Sequence, residues 1–559
     1  MLKTGLLTIA ILAVSRTAVA QVALGAGGLI AGGQIQQIPP PPEFQKSTPE
    51  IRVERRAAPT PPGPPGPKAL VSALHVTGER LFSEGELIAV TGFRPGSQLS
   101  LSDLREMAGR ITHFYNARGY FVAQAYVPAQ DIEAGAVTIT VIEGRYDKIS
   151  LRNQTNLSNG VAHGVLAGLH SGDPVASAPL ERRLLLLSDI PGIDVKATLV
   201  PGGPVGTSDL IVDVTPGARV TGSIEADNAG NRYTGEDRIG ATVNINDPLG
   251  LGDQLTVRAL TSGDGMGYIR GSYQVTVGQG TVGVAYTHFR YHLGHEFASL
   301  DASGTEDIAS VYGSYPLIRS RNDNLYALVD LDERWFNDRI GVTSTDTVKR
   351  DRVVTFGLNG NHRDGFGGGG WDAFYVYASL GDLDIQTPAA LAIDAATART
   401  NGGYGKLTFY IDRTQTISGP FSIFGALRGQ LASKNLDISE KMELGGAYEV
   451  RAYPEGEGYG DEGYVATAEL RYLLPKYPDV PGRFQLFTFV DTGTVRLSKN
   501  PWVAGPNTAT RTGAGVGATW AENNNFLVRV AYGFEVGTGP ATSQPDTGGR
   551  FWIELVKFF

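Results

Sequence analysis

The sequence predicts a mainly β protein, a 16-stranded antiparallel transmembrane β-barrel preceded by two small α+β domains. Three observations carry this. From Arg219 to Phe559, short runs alternate apolar and polar residues between Gly, Asn and Asp clusters. After the first twenty residues no apolar run is long enough to cross a bilayer as a helix. The chain ends on an aromatic run in which Phe551, Ile553, Leu555 and Phe559 share one face, while Arg550, Trp552, Glu554, Val556 and Phe558 share the other. Strands that span a bilayer must close on themselves, because an open edge leaves backbone groups unpaired in hydrocarbon.

Composition narrows the class. A chain of 559 residues exceeds one ordinary core, yet a large barrel absorbs more than half of it. The 73 Gly, 23 Tyr and 22 Phe suit strands that cross lipid. With no Cys, disulfides, thiolate metal sites and a cysteine nucleophile are excluded, and an oxidising compartment is compatible. Residues 1–20 read as a secretory signal: Lys3, the apolar stretch Leu6 to Val14, then Ala18-Val19-Ala20 before Gln21. Its loss takes Lys3 and Arg16 and moves the formal charge from -9 to -11, a poor balance for a nucleic-acid partner.

Residues 21–68 are expected to hold a short helix and a Pro-rich linker. The helix, Ala23 to Gln37, is weakened by Gly25, Gly27, Gly28, Gly32 and Gly33, each costing about 1 kcal/mol relative to Ala. Pro39 to Pro42 and Pro59 to Pro67 predict an extended, semi-rigid stretch without a core. Residues 69–146 form the first α+β unit, with strands at Leu70 to Val76, Ala123 to Pro128 and Ala136 to Glu143. Its helix runs from Asp103 to Arg118, where Ser100 and Asp103 have capping-box spacing, Leu104, Met107, Ile111, Phe114 and Tyr115 recur at helical spacing, and Gly119 follows the last turn. Residues 147–217 repeat the plan, with strands near Lys148 to Arg152, Asp194 to Val200 and Asp209 to Thr215, and helices at Val161 to Gly168 and Leu180 to Ser188.

In residues 218–559, strands are expected to begin near 219, 237, 254, 267, 281, 304, 323, 350, 371, 403, 420, 463, 484, 510, 525 and 549, an even count that suits closure. Leu407, Phe409 and Ile411 alternate with Lys406, Thr408, Tyr410 and Asp412, and Ala468, Leu470 and Tyr472 with Glu469 and Arg471. Charges at inward positions imply a wet lumen, since hydrocarbon exposure would be costly. Gly263-Asp264-Gly265-Met266-Gly267 reads as a hairpin turn, not a dinucleotide fingerprint. Asp330, Asp332 and Glu333 read as rim charges near a strand end, and His288 and His292 as surface residues. No nucleophile turn, His-Glu-x-x-His or phosphate loop is present, so no catalytic, metal or cofactor site is predicted.

The longest interruption, residues 433–462, contains Leu444-Gly445-Gly446 and Val450-Arg451-Ala452-Tyr453. If the chain enters the barrel from the periplasm, this eleventh-to-twelfth connection lies outside. The segment resembles the lid loop of two-partner secretion transporters, the filamentous haemagglutinin and haemolysin exporters of Gram-negative outer membranes, within the barrel-assembly superfamily. Phe487, Phe489, Asp491 and Gly493 resemble the family's wall motif. The resemblance implies that the loop folds into the lumen and that Arg451 meets Asp491. Ala452 stands where the family usually carries Gly, and a left-handed backbone there would strain it.

The small units resemble polypeptide-transport-associated (POTRA) domains, with Gly119, Tyr120, Pro128 and Gly144 as the signature of the first. Taken together, the resemblance implies an outer-membrane transporter with periplasmic amino-terminal domains. It would export one large, unfolded, β-helical exoprotein recognised through an amino-terminal secretion domain, contact outer-membrane lipid, use no cofactor, and carry Phe559 as the signal read by the barrel-assembly machinery. The alternative function is a barrel-assembly-type factor that inserts other outer-membrane proteins. A passive porin explains the strands but not the two domains or the paired motifs.

Overall fold

The computed structural model describes residues 30–42, 44, 46, 48–54, 66–132, 134–537 and 539–559. The expected signal, residues 23–29 of the expected helix and most of the second Pro-rich run lie outside the described residues. Two compact units emerge, one formed by Lys46–Ala218 with Leu249–Gly252 and the other by the rest of the chain.

Strands of the first unit are β1 (Glu50–Val53), β2 (Ala69–Val71), β3 (Ala73–Thr77), β4 (Ser97–Leu99), β5 (Gln124–Tyr126), β6 (Ala136–Ile142), β7 (Arg145–Asn153), β8 (Ile193–Pro201) and β9 (Thr207–Pro216). They form a two-stranded pair, β2 with β4, and two larger successive sheets. In the first, β3 pairs in parallel with β6, and β5 pairs antiparallel on the other side. Against it packs the helix Leu101–Ala117, whose Ser100 and Asp103 complete the expected capping box. Its buried face, Leu104, Met107, Ala108, Ile111 and Tyr115, meets Val76, Ile139 and Val141. A second helix, Glu84–Thr91, escapes sequence reading because it is only 8 residues long and buries only Leu87 and Thr91, too little to show a helical period.

The second sheet has the order β1-β8-β9-β7, covered by helices Asn159–Leu166 and Ser177–Ser188. β8 and β9 alternate buried and more accessible residues, the period a half-covered strand requires. β1 corrects the expectation of a coreless linker: Glu50 to Val53 pairs with Lys196 to Leu199, and Ile51 packs on the core of this layer.

The second unit is a closed barrel of sixteen strands: β10 (Val220–Asp227), β11 (Arg238–Asn246), β12 (Gln254–Thr261), β13 (Met266–Val277), β14 (Gly280–His292), β15 (Ala302–Arg319), β16 (Asp323–Ile340), β17 (Thr345–Asp364), β18 (Gly370–Ile385), β19 (Gly402–Ser418), β20 (Phe421–Ala432), and, after two-residue strands β21 (Met442–Glu443) and β22 (Tyr459–Gly460), β23 (Glu462–Leu473), β24 (Arg483–Arg496), β25 (Thr508–Glu522), β26 (Phe526–Glu535) and β27 (Gly549–Phe558). All neighbours run antiparallel, and β10 closes on β27 from Ser223 opposite Phe558 to Asp227 opposite Glu554. Past that point the Asn228 side-chain amide continues the seam: it donates to Phe551 O at 2.8 Å and accepts from Ile553 N at 2.8 Å. Gly222 leaves room for the terminal ring, since a Cβ there would stand 2.6 Å from Phe559 Cζ.

The two faces separate as the alternation predicts. Ile224, Val284, Leu470, Val490 and Val516 are exposed on the outside, whereas Glu225, Arg258, Glu306, Lys349, Glu469 and Asp491 are buried. Asp330 and Asp332 are not rim charges but sit in the middle of β16, where Asp332 accepts from Ser310 Oγ at 2.6 Å and pairs with Arg334 at 2.7 Å. Glu333, also in mid-strand, pairs with Arg350 and Arg352. The cause is length: β16 has 18 residues and β17 has 20, so strand continues where a rim was expected, and β17 starts at Thr345 instead of near 350.

Candidate functional site

Inside the barrel two segments meet, the start of the described chain and the connection from β20 to β23. The helix Ala31–Ile35 has only 5 residues, and Gly32 and Gly33 make it intrinsically weak, so tertiary contacts must hold it. Asp338 on β16 accepts from Ala31 N at 2.9 Å and from Tyr291 OH at 2.9 Å. Arg238 Nη1 donates to Gln37 O at 2.8 Å, and Arg258 Nη1 to Pro39 O at 2.6 Å. The same segment is tied to the loop: Gln36 Nε2 donates to Ile438 O at 2.7 Å and Gln37 Nε2 to Tyr459 OH at 2.8 Å. Gly32 is a requirement of fit, because a Cβ there would stand 2.6 Å from Ser439 Cβ.

The loop folds on itself through β21 and β22, with Met442 opposite Gly460 and Glu443 opposite Tyr459. Its tip presents Val450, Arg451, Ala452 and Tyr453, all buried. Arg451 donates from Nε to Asp491 Oδ2 and from Nη2 to Asp491 Oδ1, both at 2.8 Å, and its backbone N reaches Oδ2 at 3.2 Å. That bidentate geometry is the one a guanidinium and a carboxylate share best. Arg451 Nη1 also donates to Glu469 Oε1 at 2.6 Å, and its guanidinium lies 3.6 Å from the Phe489 ring centroid. Arg451 is 4% exposed and Asp491 0%, so both ions have left water. Burial opposes the charge on Arg451, but its bonds to Asp491 raise its affinity for the proton above the usual value.

The wall is cut to fit. Gly513, Gly515 and Gly517 recur at period two on the inner face of β25. A Cβ on Gly513 would stand 2.4 Å from Ala452 Cβ, one on Gly515 2.3 Å from the Phe489 ring, and one on Gly517 2.2 Å from the Phe487 ring. Gly493 likewise admits Leu444 of the loop, and Gly533 lies under the Arg451 to Ala452 backbone. Trp552 Nε1 donates to Arg451 O at 2.7 Å, and Tyr453 OH to Gly539 O at 2.7 Å. Ala452 is not among the residues with positive φ, so the left-handed backbone that would strain an Ala is not required here.

Further charge pairs rivet the rest of the loop to the wall: Asp437 to Lys349 at 2.9 Å, Glu440 to Arg334 and Lys406 at 2.6 Å each, Glu457 to Arg511 at 2.5 Å, and Glu449 to Arg428. Sequence reasoning found one of these contacts, Arg451 with Asp491. It treated Glu469 and Trp552 only as inward-facing residues and passed over Gly513 and Gly533. The Gly-x-Gly-x-Gly stripe of β25 was a legible signal, because glycines on one face of a strand mark close approach of another group. Three loop carboxyls are unusual, and one is Glu449, which burial lifts to about 8 against the opposing pull of Arg428. Burial lifts Glu443 well above the usual range, with Glu455 adding to it, and lifts Glu455 to about 7.

Of the residues singled out in the first domain, Gly119 and Gly144 reach the second, while Tyr120 and Pro128 stay within the first. Gly119 (φ 90°) ends the long helix and accepts at its carbonyl from Ser177 N at 2.9 Å. Gly144 (φ 76°) accepts from Val175 N at 3.0 Å and is pressed on Val122 so closely that a Cβ would stand 2.4 Å away. Tyr120 packs edge-on against Phe82 and Tyr115, and the carbonyl of Pro128 accepts from Gln130 Nε2 at 3.3 Å.

Comparison with known proteins bears on the family and the fold. Residues 206–520 match the model of the haemolysin secretion/activation proteins ShlB/FhaC/HecB, and residues 70–144 match that of ShlB-type POTRA domains. The chain is 26% identical over 476 residues to the heme/hemopexin transporter protein HuxB of Haemophilus influenzae strain 86-028NP, covering 83% of this chain and 82% of that one. It is 24% identical over 495 residues to the outer membrane transporter CdiB of Dickeya dadantii, covering 86% and 85%. The structure of CdiB from Escherichia coli superimposes with a TM-score of 0.68 at 20% identity, covering 90% of this chain and 93% of that one.

Proposed function

We propose, since this chain belongs to the haemolysin secretion/activation protein family, that it is the outer-membrane half of a two-partner pair and exports one large, unfolded, β-helical exoprotein through its barrel. The observation that most supports this reading is a loop of some thirty residues held inside the lumen by charge pairs, with Arg451 on Asp491 at its tip. Such a closure suits a gate. Buried ion pairs contribute little net stability, because both ions regain water when they part, so the firm part of the closure is confined to the apolar cluster of Met442, Leu444, Val450, Ala452 and Tyr453 with Val465 and Val495. An apolar plug of equal size would be bound far more firmly.

In this reading the partner's amino-terminal secretion domain adds an extended segment to a free sheet edge of the periplasmic domains. β3, β5 and β7 offer such edges, whereas β8 is already covered by β1. The residues Val450, Arg451, Ala452 and Tyr453 form the latch, and Phe487, Phe489, Asp491 and Gly493 its seat. The helix Ala31–Ile35 parts from the loop it is bonded to before the lumen opens. Gly119 and Gly144 set the joint between the periplasmic domains, and Tyr120 and Pro128 belong to the fold of the first. Phe559 serves as the terminal signal for the barrel-assembly machinery, and the apolar outer face meets outer-membrane lipid. The partner's own folding outside the cell supplies the driving force. Deletion of the gene is expected to trap a single large protein in the periplasm with porins at normal levels. General loss of porins would instead establish the barrel-assembly function.

A further inference from the structure

The outer wall carries a depression that export does not use. On strands β10 to β14 its floor is made of residues with little or no side chain, Ala241, Ala259 and Gly267, and its sides of Ile224, Ile239 and Ile269. The groove holds about 480 Å3 and ends at His288 and Arg290 of β14. Register joins floor to end: Ala241 lies opposite Ala259, Ala259 opposite Ile269, Ile269 opposite His288, and Gly267 opposite Arg290.

Depth follows from topology. β14 is the fifth strand and rises away from the side on which the chain enters the barrel, and its outer face reads Val282, Val284, Tyr286, His288, Arg290, His292. At about 3.4 Å per residue and a tilt near 40°, His288 and Arg290 stand roughly 21 to 26 Å above the start of the strand, at the upper limit of an apolar band about 25 Å tall. The groove therefore lies at acyl-chain depth in the outer leaflet and its basic end at headgroup depth.

The charges at that height are not equivalent. Arg350 and Arg352 are answered by Glu333, and His288 by Asp307 at 2.8 Å. Arg290 is exposed, and no hydrogen bond or ion pair joins it to another described residue. Its Nε lies 2.9 Å from where a Cβ on Gly267 would stand, so the side chain lies back across the end of the groove floor. A guanidinium beside an apolar trough, held there by a glycine and left without an anion, matches a ligand with both an acyl chain and a phosphate.

We propose that this groove is a specific site for lipid A, the phosphorylated acyl glycolipid of the outer leaflet, with one acyl chain in the trough and a phosphate on Arg290. The test is native mass spectrometry of the full-length protein extracted from outer membranes in mild detergent, with heat-modifiable migration confirming a folded barrel. The wild-type protein is expected to retain one lipid A-bearing glycolipid. Arg290→Gln, which removes the phosphate contact, and Ala259→Phe, which fills the trough, are each expected to cut retention by about fivefold or more, the scale of one charge-assisted contact. Arg352→Gln, whose charge is already paired, is expected to leave retention unchanged. Equal retention in wild-type protein and both groove variants would overturn the proposal, as would undiminished retention of dephosphorylated lipid A or a phospholipid in its place. The readout is independent of transport, so this site and the export function stand or fall separately.

Discussion

At Ala452 a methyl group occupies the tip of a buried loop, and the space for it comes from Gly513 on the facing strand. One residue earlier, Arg451 divides its donors between Asp491 and Glu469 while its ring-facing side covers Phe489. Each partner is buried, so deleting the cation leaves two carboxylates facing one another without it. Breaking a pair of this kind costs about 3 to 5 kcal/mol, far more than the intact pair contributes. Arg451→Ala is therefore expected to lower export of the partner protein at least tenfold while the amount of heat-modifiable barrel changes little, a comparison made by immunoblotting of medium and outer membrane. Arg451→Lys is expected to rescue poorly, because an ammonium cannot span both carboxylates in the plane that the guanidinium uses. Equal loss of export and of barrel in the Ala variant would assign Arg451 a purely structural role.

The element that matters most is the loop between β20 and β23, and its internal chemistry includes a proton. Glu443 accepts from Gly456 N and Glu455 from Ala447 N, within a packing that burial makes hostile to charge. Released into water, these carboxyls ionise near 4.5; docked, Glu455 ionises near 7 and burial holds Glu443 well above its ordinary value. Because the docked values are raised, the contribution to docking is complete below about 4.5 and is lost as pH rises through about 7. Planar-bilayer recordings are expected to show more frequent channel opening as pH is raised from about 6 to about 8, and Glu443→Gln is expected to flatten that dependence. An unaltered profile in the variant would place the titrating group elsewhere.

For the whole molecule, the amino-terminal helix and the loop form one internal body within the barrel. Gly32 against Ser439, Gln36 on Ile438 and Gln37 on Tyr459 join them, and Asp338, Arg238 and Arg258 fasten the helix to the wall. The absence of Cys makes this union easy to lock. In the double variant Gly32→Cys with Ser439→Cys, a shift of about 1 Å brings the Cβ atoms to disulfide spacing. Export is expected to stop under oxidation and return on addition of a reductant, with secreted protein measured against total. Export that continues through the oxidised protein would mean that helix and loop need not separate.

The alternation that makes a strand is a local property, and it shows in the sequence wherever one face meets lipid and the other a wet lumen. The sixteen strands were legible for that reason, and fifteen of the expected starts lie within two residues of the observed ones. The helix Leu101–Ala117 was legible through its capping box and its apolar spacing, whereas Glu84–Thr91 was too short to declare itself. Arg451 and Asp491 came from the resemblance of two short motifs. What decided their setting was tertiary: Glu469, the glycine stripe Gly513, Gly515 and Gly517, Trp552, and pairs such as Arg334 with Glu440, 106 residues apart. No local pattern encodes such a contact, because a charge facing a wet lumen satisfies the strand whether or not a loop arrives to meet it. Alternation alone shows which residues line the inside of the barrel; which of them become partners depends on closure of the barrel around the loop.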